Sequence, residues 1–189
     1  MPKPPILPVL DWRAVFDSGR AYADWLDTSE SADNAGRIEA IRSALPLEPQ
    51  VVGFLGALPR PVHVVAIAEA WCGDVVRHVA VLERLADHAP RLEVRFISRE
   101  QHPDVFVRFL TNGGEAIPKF IFLSDQFTEC GHWGPMSNAY REIIARGKAC
   151  GDVAASRKKV GALYAADANY RDVIAELVHL IDVASSTAP

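Results

Sequence analysis

The sequence predicts an α/β fold, because apolar β-rich segments alternate with segments of helical periodicity. Residues 62–68 form an apolar run that leads directly into Trp-Cys-Gly-Asp at residues 71–74, where a helix is expected to begin. Residues 75–88 then carry apolar side chains at helical spacing, and residues 92–97 alternate apolar and polar side chains. A strand, a helix and a second strand in this order are typical of α/β proteins.

The remaining segments predict helices at both ends of the chain. Aromatic and apolar side chains recur at helical spacing within residues 9–60, where a second helix is indicated from Ser31 and a third over residues 48–58. Further along the chain, we predict a short helix at 103–110, strands at 120–123 and 127–133, and helices at 137–146, 153–165 and 170–184.

Length and charge fit one compact soluble domain spanning residues 1–189, with 49% hydrophobic residues and a net charge of −4. The 20 Lys and Arg residues are dispersed, which argues against nucleic acid as a partner. No apolar run approaches the roughly 20 residues that span a bilayer, so we expect no membrane association. The proline-rich start at residues 1–8 lacks the apolar core of a secretory signal, so we expect a cytoplasmic protein.

Cys72 is the candidate reactive residue. The N-terminus of a helix favours a thiolate over a thiol, and the thiolate is the nucleophile in disulfide exchange. A dithiol site also needs a second cysteine three residues further on, and that position holds Val75. Cys72 can therefore attack a disulfide but has no neighbour that resolves the intermediate. The other cysteines, Cys130 and Cys150, are widely spaced, and we expect neither to reach Cys72.

Four motifs in this order resemble the thioredoxin superfamily, and most closely its bacterial thioredoxin-like proteins. They are Trp-Cys-Gly-Asp at 71–74, Leu-Thr-Asn-Gly at 110–113, Ile-Pro at 117–118 and Trp-Gly-Pro at 133–135. The resemblance implies a thioredoxin fold with a central mixed sheet flanked by helices. It covers a core at residues 61–150, which leaves a helical N-terminal extension at 1–60 and C-terminal helices at 151–189.

The resemblance also implies which residues form the site around Cys72. The Ile117–Pro118 bond is expected to be cis and to face the sulfur, so that Ala116 and Ile117 can pair with the backbone of a peptide or glutathione. Aromatic surface beside the sulfur is expected from Trp71 and Trp133, although Trp133 is equally compatible with the core. The other expected contact residues belong to the active-site turn and to the end of the last strand: Gly73, Asp74, Val75 and Gly134.

Two departures from ordinary thioredoxins leave the activity open. Val75 replaces the resolving cysteine, and Ala66 stands where the family usually buries an aspartate that assists proton transfer. Nearby, the negative charge of Asp74 opposes formation of a thiolate. We expect Arg77 and His78 to be solvated on the surface of the helix.

Glu69 follows the first predicted strand and is expected to lie on the surface or to cap a helix. The six histidines form no pair at metal-ligand spacing and no Cys-x-x-Cys is present, so we predict neither a metal site nor a cofactor.

Two functions fit these observations. One is a monothiol disulfide oxidoreductase in which Cys72 attacks a protein disulfide or a glutathione-like disulfide and an external thiol resolves the product. The other is a redox-inactive module of the same fold that binds a peptide or protein partner. The sequence indicates no particular oligomeric state.

Overall fold

A computed structural model describes residues 7–28 and 32–188. The expectations for residues 1–6 and for a helix start at Ser31 lie outside these residues. The described elements, in chain order, are α1 (Trp12–Asp17), α2 (Tyr22–Asp27), α3 (Ala32–Ala44), α4 (Pro49–Gly56), β1 (Val62–Ile67), α5 (Gly73–Ala86), β2 (Leu92–Ile97), α6 (Pro103–Phe106), β3 (Lys119–Leu123), β4 (Glu129–Trp133), α7 (Asn138–Ala149), α8 (Val153–Ala166) and α9 (Arg171–Ser185).

The four strands form one mixed sheet in the order β2-β1-β3-β4. The inner strand β1 runs parallel to β2 and antiparallel to β3, and β4 is antiparallel to β3. Every residue of β3 and all but one residue of β1 are buried, because helices cover both faces of the sheet. The predicted α/β fold with a mixed sheet flanked by helices is thus confirmed.

The N-terminal extension fixes the chain that leads from β1 to Cys72. The Trp25 ring stacks on Phe96 of β2 at a centroid distance of 4.5 Å, and its Nε1 donates to the carbonyl of Ala68 at 3.1 Å. The Asn34 amide donates to the carbonyl of Ala70 at 2.9 Å. Two carbonyls of the loop after β1 are therefore held by side chains of α2 and α3.

The C-terminal helices α7 and α8 pack closely as a hairpin, and Gly147 makes this contact possible. A Cβ atom at Gly147 would lie 2.2 Å from the Oγ of Ser156 and 2.9 Å from the carbonyl of Asp152. These distances are far below van der Waals contact, so a larger residue would push the two helices apart. The hairpin stands beside the first turns of α5, next to Cys72.

The last strand starts later than the sequence predicts. The prediction placed it from residue 127, whereas β4 begins at Glu129. Phe127 has φ +60 and belongs to a turn in which the carbonyl of Ser124 accepts from its N–H at 2.9 Å. Aromatic residues favour strands, but here the Phe127 ring stacks on His63 at 4.2 Å, outside the ladder.

A buried carboxyl group lies on α5 under the N-terminal extension. Glu83 is 6% exposed, and its Oε1 atom has no hydrogen-bond partner among the residues that the structure describes. Burial raises the pKa of Glu83 to about 8 against the opposing effect of Arg42, while the negative charges of Asp87 and Glu39 raise it further. The folded protein therefore holds this group in its protonated form at neutral pH.

Glu83→Gln is expected to stabilise the protein more at pH 8 than at pH 5. Because the pKa is raised by folding, the stabilisation linked to Glu83 is complete below the unfolded-state value of 4.5 and is lost as the pH rises to about 8. Glutamine does not titrate, so its variant does not lose this stabilisation as the pH rises. The free energy of unfolding of Glu83→Gln should therefore exceed that of the natural chain by on the order of 2 kcal/mol at pH 8. Denaturant unfolding at both pH values measures the difference. Glu93→Gln, at an exposed carboxyl of β2, is the control; an equal gain at the two pH values for Glu83→Gln would contradict the prediction.

Candidate functional site around Cys72

Cys72 lies at the carboxyl end of the inner strand, where α5 begins. It is the N-cap residue of α5, with extended backbone angles of φ −84 and ψ 127, and its carbonyl accepts from the Val76 N–H at 3.0 Å. Its side chain does not cap the helix and is partly exposed. The sulfur is thus available beside the unpaired N–H groups of the first helical turn.

The sulfur of Cys72 faces the segment that leads into β3. Its Sγ donates to the carbonyl of Ile117 at 3.7 Å, and the Ile117–Pro118 bond is cis. Ile117 and Pro118 are buried, whereas Ala116 is partly exposed. The resemblance placed these three residues opposite Cys72, and the structure shows the contact of Ile117 with the sulfur.

Gly134 lies behind this segment in very close backbone contact with it. A Cβ atom at Gly134 would be 2.1 Å from the carbonyl oxygen of Pro118, and its φ of +116 lies in a region that glycine favours. The carbonyl of Gly134 also accepts from the Lys119 ammonium at 3.0 Å. Gly134 therefore supports the Ile117–Pro118 segment through its backbone.

Of the two tryptophans expected beside the sulfur, only Trp71 offers exposed surface. Trp71 is 62% exposed, whereas Trp133 is 4% exposed. The Trp133 ring stacks on Phe120 at 5.5 Å, and its Nε1 donates to Glu176 at 2.6 Å. Trp133 is therefore part of the core and does not form the contact surface that was expected beside the sulfur. The carboxylate of Glu176 on α9 accepts the hydrogen bond of its indole N–H there.

An ion pair holds Trp71 in place. Glu69 accepts from the Trp71 Nε1 at 3.0 Å and from two guanidinium nitrogens of Arg99, at 2.7 Å and 3.0 Å. The Arg99 guanidinium also lies 5.4 Å from the centroid of the Trp71 ring. Burial raises the pKa of Glu69, but the hydrogen bonds and charge of Arg99 outweigh it and hold that pKa below its ordinary value.

Sequence reasoning expected Glu69 to lie on the surface or to cap a helix, whereas the structure shows it partly buried in an ion pair with Arg99, and this partner was missed. A signal for the pair exists in the sequence. Ile67 and Ile97 are register partners at the carboxyl ends of two parallel strands, and Glu69 and Arg99 each follow by two residues. Equal offsets from paired strand ends bring opposite charges together at one edge of the sheet.

His78 is fully buried, which corrects the expectation that it is solvated. Its ring packs edge-on to Trp133 at 4.9 Å and lies 5.6 Å from the Tyr164 ring of α8. Neither ring nitrogen makes a hydrogen bond of normal geometry to the described residues. The backbone groups of Pro135 and Asp74 raise the pKa of the imidazole, but less than burial lowers it. Burial lowers the pKa of His78 to about 3, so the imidazole is neutral.

The remaining residues of the first helical turn differ in environment. Val75 is fully buried at the position that a resolving cysteine would occupy. Asp74 is partly buried, which raises the pKa of its carboxyl, while the charge of Arg77 lowers it. Gly73 is exposed, and its carbonyl accepts from Arg77 at 3.3 Å.

Lys119, the first residue of β3, is a second charged group that the sequence did not single out. Its ammonium is buried and donates to Thr111 Oγ1 at 2.6 Å and to the Gly134 carbonyl at 3.0 Å. Burial lowers the pKa of Lys119 to about 8, and the charge of Arg141 acts in the same direction. The lysine links the loop at 111–114 to the segment around Pro118.

In the part of the chain that the structure describes, no three side chains of His, Cys, Asp or Glu are grouped so that they could hold a metal ion. None of the described helices is long and apolar enough to cross a membrane.

The mixed sheet, the cysteine at the start of the helix after β1, and the Ile-Pro segment facing its sulfur define a thioredoxin-like α/β protein. A family model described as thioredoxin matches residues 21–155, so the chain belongs to this thioredoxin family. A comparison with curated proteins finds no match.

Two solved structures are similar to the protein over most of its length. A protein of unknown function from Pseudomonas aeruginosa is 20% identical with a TM-score of 0.71, and the alignment covers 92% of this chain and 98% of that one. An HIV epitope-scaffold is 18% identical with a TM-score of 0.70 and the same coverage of both chains. At these identities, the likeness shows the fold alone.

Gly134→Ala is expected to destabilise the protein by more than about 2 kcal/mol, because the added methyl group would overlap the Pro118 carbonyl oxygen. Denaturant unfolding measures this loss. Gly53→Ala is the matched control: a Cβ atom there meets nothing within 4 Å, and its site is inside α4, where alanine is favoured over glycine. Equal stability of the two variants would show that Gly134 is not a point of close backbone approach.

Proposed function

We propose that this protein is a thiol–disulfide oxidoreductase that uses a single cysteine, Cys72. The observation that carries the proposal is the position of the Cys72 sulfur: it is partly exposed at the start of α5 and lies 3.7 Å from the Ile117 carbonyl. A substrate disulfide that approaches this sulfur meets the N–H groups of the first helical turn on one side and an open backbone segment on the other. This arrangement supports nucleophilic attack by a thiolate.

The reaction takes place in two exchange steps. The Cys72 thiolate attacks one sulfur of the substrate disulfide, so that a Cys72–substrate disulfide forms, the original S–S bond breaks, and the second substrate sulfur leaves as a thiolate that takes up a proton. A thiolate from an external thiol then attacks the substrate sulfur of the mixed disulfide, so that a disulfide forms between the external thiol and the substrate, the Cys72–substrate bond breaks, and Cys72 leaves as a thiolate. The external thiol supplies the electrons in this step, because Val75 offers no second sulfur.

The substrate class follows from the surroundings of the sulfur. Ala116 and Ile117 provide backbone groups that can pair with an extended peptide, and Trp71 provides exposed apolar surface. A protein disulfide or a disulfide of a glutathione-like thiol fits these contacts. No cofactor is needed, since the thiols themselves carry the electrons.

We extend the proposal to the setting of the protein. Residues 1–189 act as one domain, with the thioredoxin core at 61–150 flanked by the extension and the C-terminal helices. A cytoplasmic location, where external thiols remain reduced, suits a cysteine that depends on them. The bacterial origin suggested by the motif resemblance stays a prediction.

A second candidate function is a redox-inactive module that binds a peptide or protein through the same segment. Two buried positions favour it. Val75 and Ala66 are both fully buried apolar residues where dithiol enzymes of this fold carry a cysteine and an aspartate. The two functions differ in whether Cys72 forms covalent intermediates.

The proposed enzyme should form a mixed disulfide with glutathione disulfide at Cys72 and retain it until an external thiol is added. Intact-mass spectrometry before and after the addition measures both steps. Cys72→Ser should show no adduct, whereas Cys150→Ser, at an exposed cysteine, should behave as the natural chain does. Absence of an adduct at Cys72 under these conditions would favour the binding module.

Val75→Cys is expected to create a dithiol that closes an internal disulfide with Cys72 and turns over a model disulfide when coupled to a reductant. Cysteine is smaller than valine, so the free energy of unfolding should fall by only about 1 kcal/mol. Turnover should remain below that of an ordinary thioredoxin, because Ala66 provides no acid for proton transfer.

Val79→Cys is the control for this variant. It is equally buried on α5 but lies seven residues from Cys72, about 10 Å along the helix, which is too far for a disulfide. If oxidised Val75→Cys leaves Cys72 unlinked, the geometry of the turn is not that of a dithiol site. Steady turnover by the natural chain without an external thiol would mean that another cysteine resolves Cys72.

A further inference from the structure

A long groove opens beside Cys72, between the start of α5, the segment before Pro118 and the α7–α8 hairpin. Its volume is about 1130 Å³, and its lining includes Asp74, two residues after Cys72 in the chain, and Ala116, the neighbour of Ile117. The α8 wall extends from Val153 to Tyr164, which corresponds to roughly 16 Å of helix. That length matches about five residues of extended chain.

Four cationic side chains line this groove without a carboxylate partner. They are Arg77 of α5, Arg141 and Lys148 of α7, and Arg157 of α8. Within residues 7–28 and 32–188, none of them forms an ion pair. Arg141 donates only to Asn138, and Arg77 donates to a backbone carbonyl and lies over the Tyr164 ring at 4.9 Å.

The acidic residues of the groove are occupied in other ways. Glu115 pairs with Arg99 at 3.3 Å and Glu142 pairs with Arg146 at 3.7 Å, and neither arginine lines the groove. The third acidic residue, Asp74, lies close enough to Arg77 for the charge of that arginine to lower the pKa of Asp74 against the larger, raising effect of burial. For Arg141, Lys148 and Arg157, the residues that the structure describes supply no ion-pair partner, so these three cations remain available to a ligand.

The positive groove stands out against the net charge of −4 of the whole chain. At physiological ionic strength, charges beyond about 8 Å are largely screened, so a bound chain experiences the local groove and not the distant surface. An anionic ligand is favoured by this field. The groove exceeds the roughly 300–1,000 Å³ of typical small-molecule sites, and its extent along α8 favours a polypeptide segment over a small thiol.

We propose that this groove binds an acidic segment of a partner polypeptide, with a cysteine of that partner brought to Cys72. The carboxylates of the segment pair with Arg77, Arg141, Lys148 and Arg157. The proposed binding of the segment depends only on the groove. The proposed approach of a partner cysteine to Cys72 also depends on the function proposed above.

Binding is measured by fluorescence anisotropy on the full-length chain carrying Cys72→Ser, so that no covalent product forms. The probes are three labelled peptides of equal length in which serine alternates with glutamate, glutamine or lysine. We expect the glutamate peptide to bind at least about tenfold more tightly than the glutamine peptide at low salt, with the advantage falling as salt is added. The lysine peptide should not bind.

Two double variants with the same change of net charge separate the groove from the general surface. Lys148→Glu with Arg157→Glu should abolish the preference for the glutamate peptide. Lys158→Glu with Lys159→Glu, at exposed positions of α8 outside the groove, should retain it. Equal loss in both variants, or no preference for the glutamate peptide in the parent chain, would overturn the inference.

A competition with glutathione disulfide tests the alternative of a small anionic ligand. If glutathione disulfide displaces the glutamate peptide at lower concentration than unlabelled peptide does, the groove is a small-thiol site and the inference fails. The two proposals remain distinguishable. Peptide binding by a chain whose Cys72 forms no mixed disulfide supports the positively charged groove and contradicts the oxidoreductase. A mixed disulfide at Cys72 without peptide binding supports the oxidoreductase and contradicts the groove proposal.

Discussion

The antiparallel pairing of β1 with β3 is the constraint on which the candidate site depends. In this register Ile67, the last residue of β1, lies opposite Lys119, the first residue of β3. The chain that leaves β1 towards Cys72 and the chain that enters β3 from Pro118 therefore meet at the same end of the sheet. A slip by one residue would reverse the faces of β3 and carry the ammonium of Lys119 away from Thr111 and Gly134. The buried lysine thus specifies the register that brings Cys72 to Ile117.

The chemistry available at this site is limited by what lies beneath it. Dithiol exchange needs a second sulfur and benefits from a buried acid, and Val75 and Ala66 fill those two positions with apolar side chains. Replacing polar groups by well-packed apolar ones costs the fold little, because no unpaired charge remains in the core. In the oxidoreductase proposed above, the same replacement would leave the sulfur of Cys72 dependent on a thiol from outside the protein. Fold and chemistry are therefore separable here, as expected when function resides in a few residues on a shared scaffold.

Local sequence patterns predicted the sheet and the turn but not the packing around them. The strands near 62 and 92 and the helix start after Cys72 were predictable because each depends on neighbouring residues, whereas the Ile117–Pro118 segment was predicted from the family resemblance. His78 and Trp133 were not, because α8 and α9 cover them from far along the chain, and no local pattern identifies the helix that packs on a given face. The ion pair of Glu69 and Arg99 is an intermediate case, because it can be predicted from the sequence only when the register of β1 and β2 is known.

The C-terminal helices give this thioredoxin scaffold its particular surface. The family match ends at residue 155, so it includes Cys72 and the Ile117–Pro118 segment but not Arg157 or Tyr164. Tyr164 covers His78 on its inner side and contacts Arg77 on its outer side, so one residue closes the core and orients a cation towards the groove. Gly147 brings α7 close enough to α8 for both helices to contribute to one wall. In the two proposals made above, reactivity would therefore depend on the core that the family match covers, and selection of a partner on the helices packed beside it.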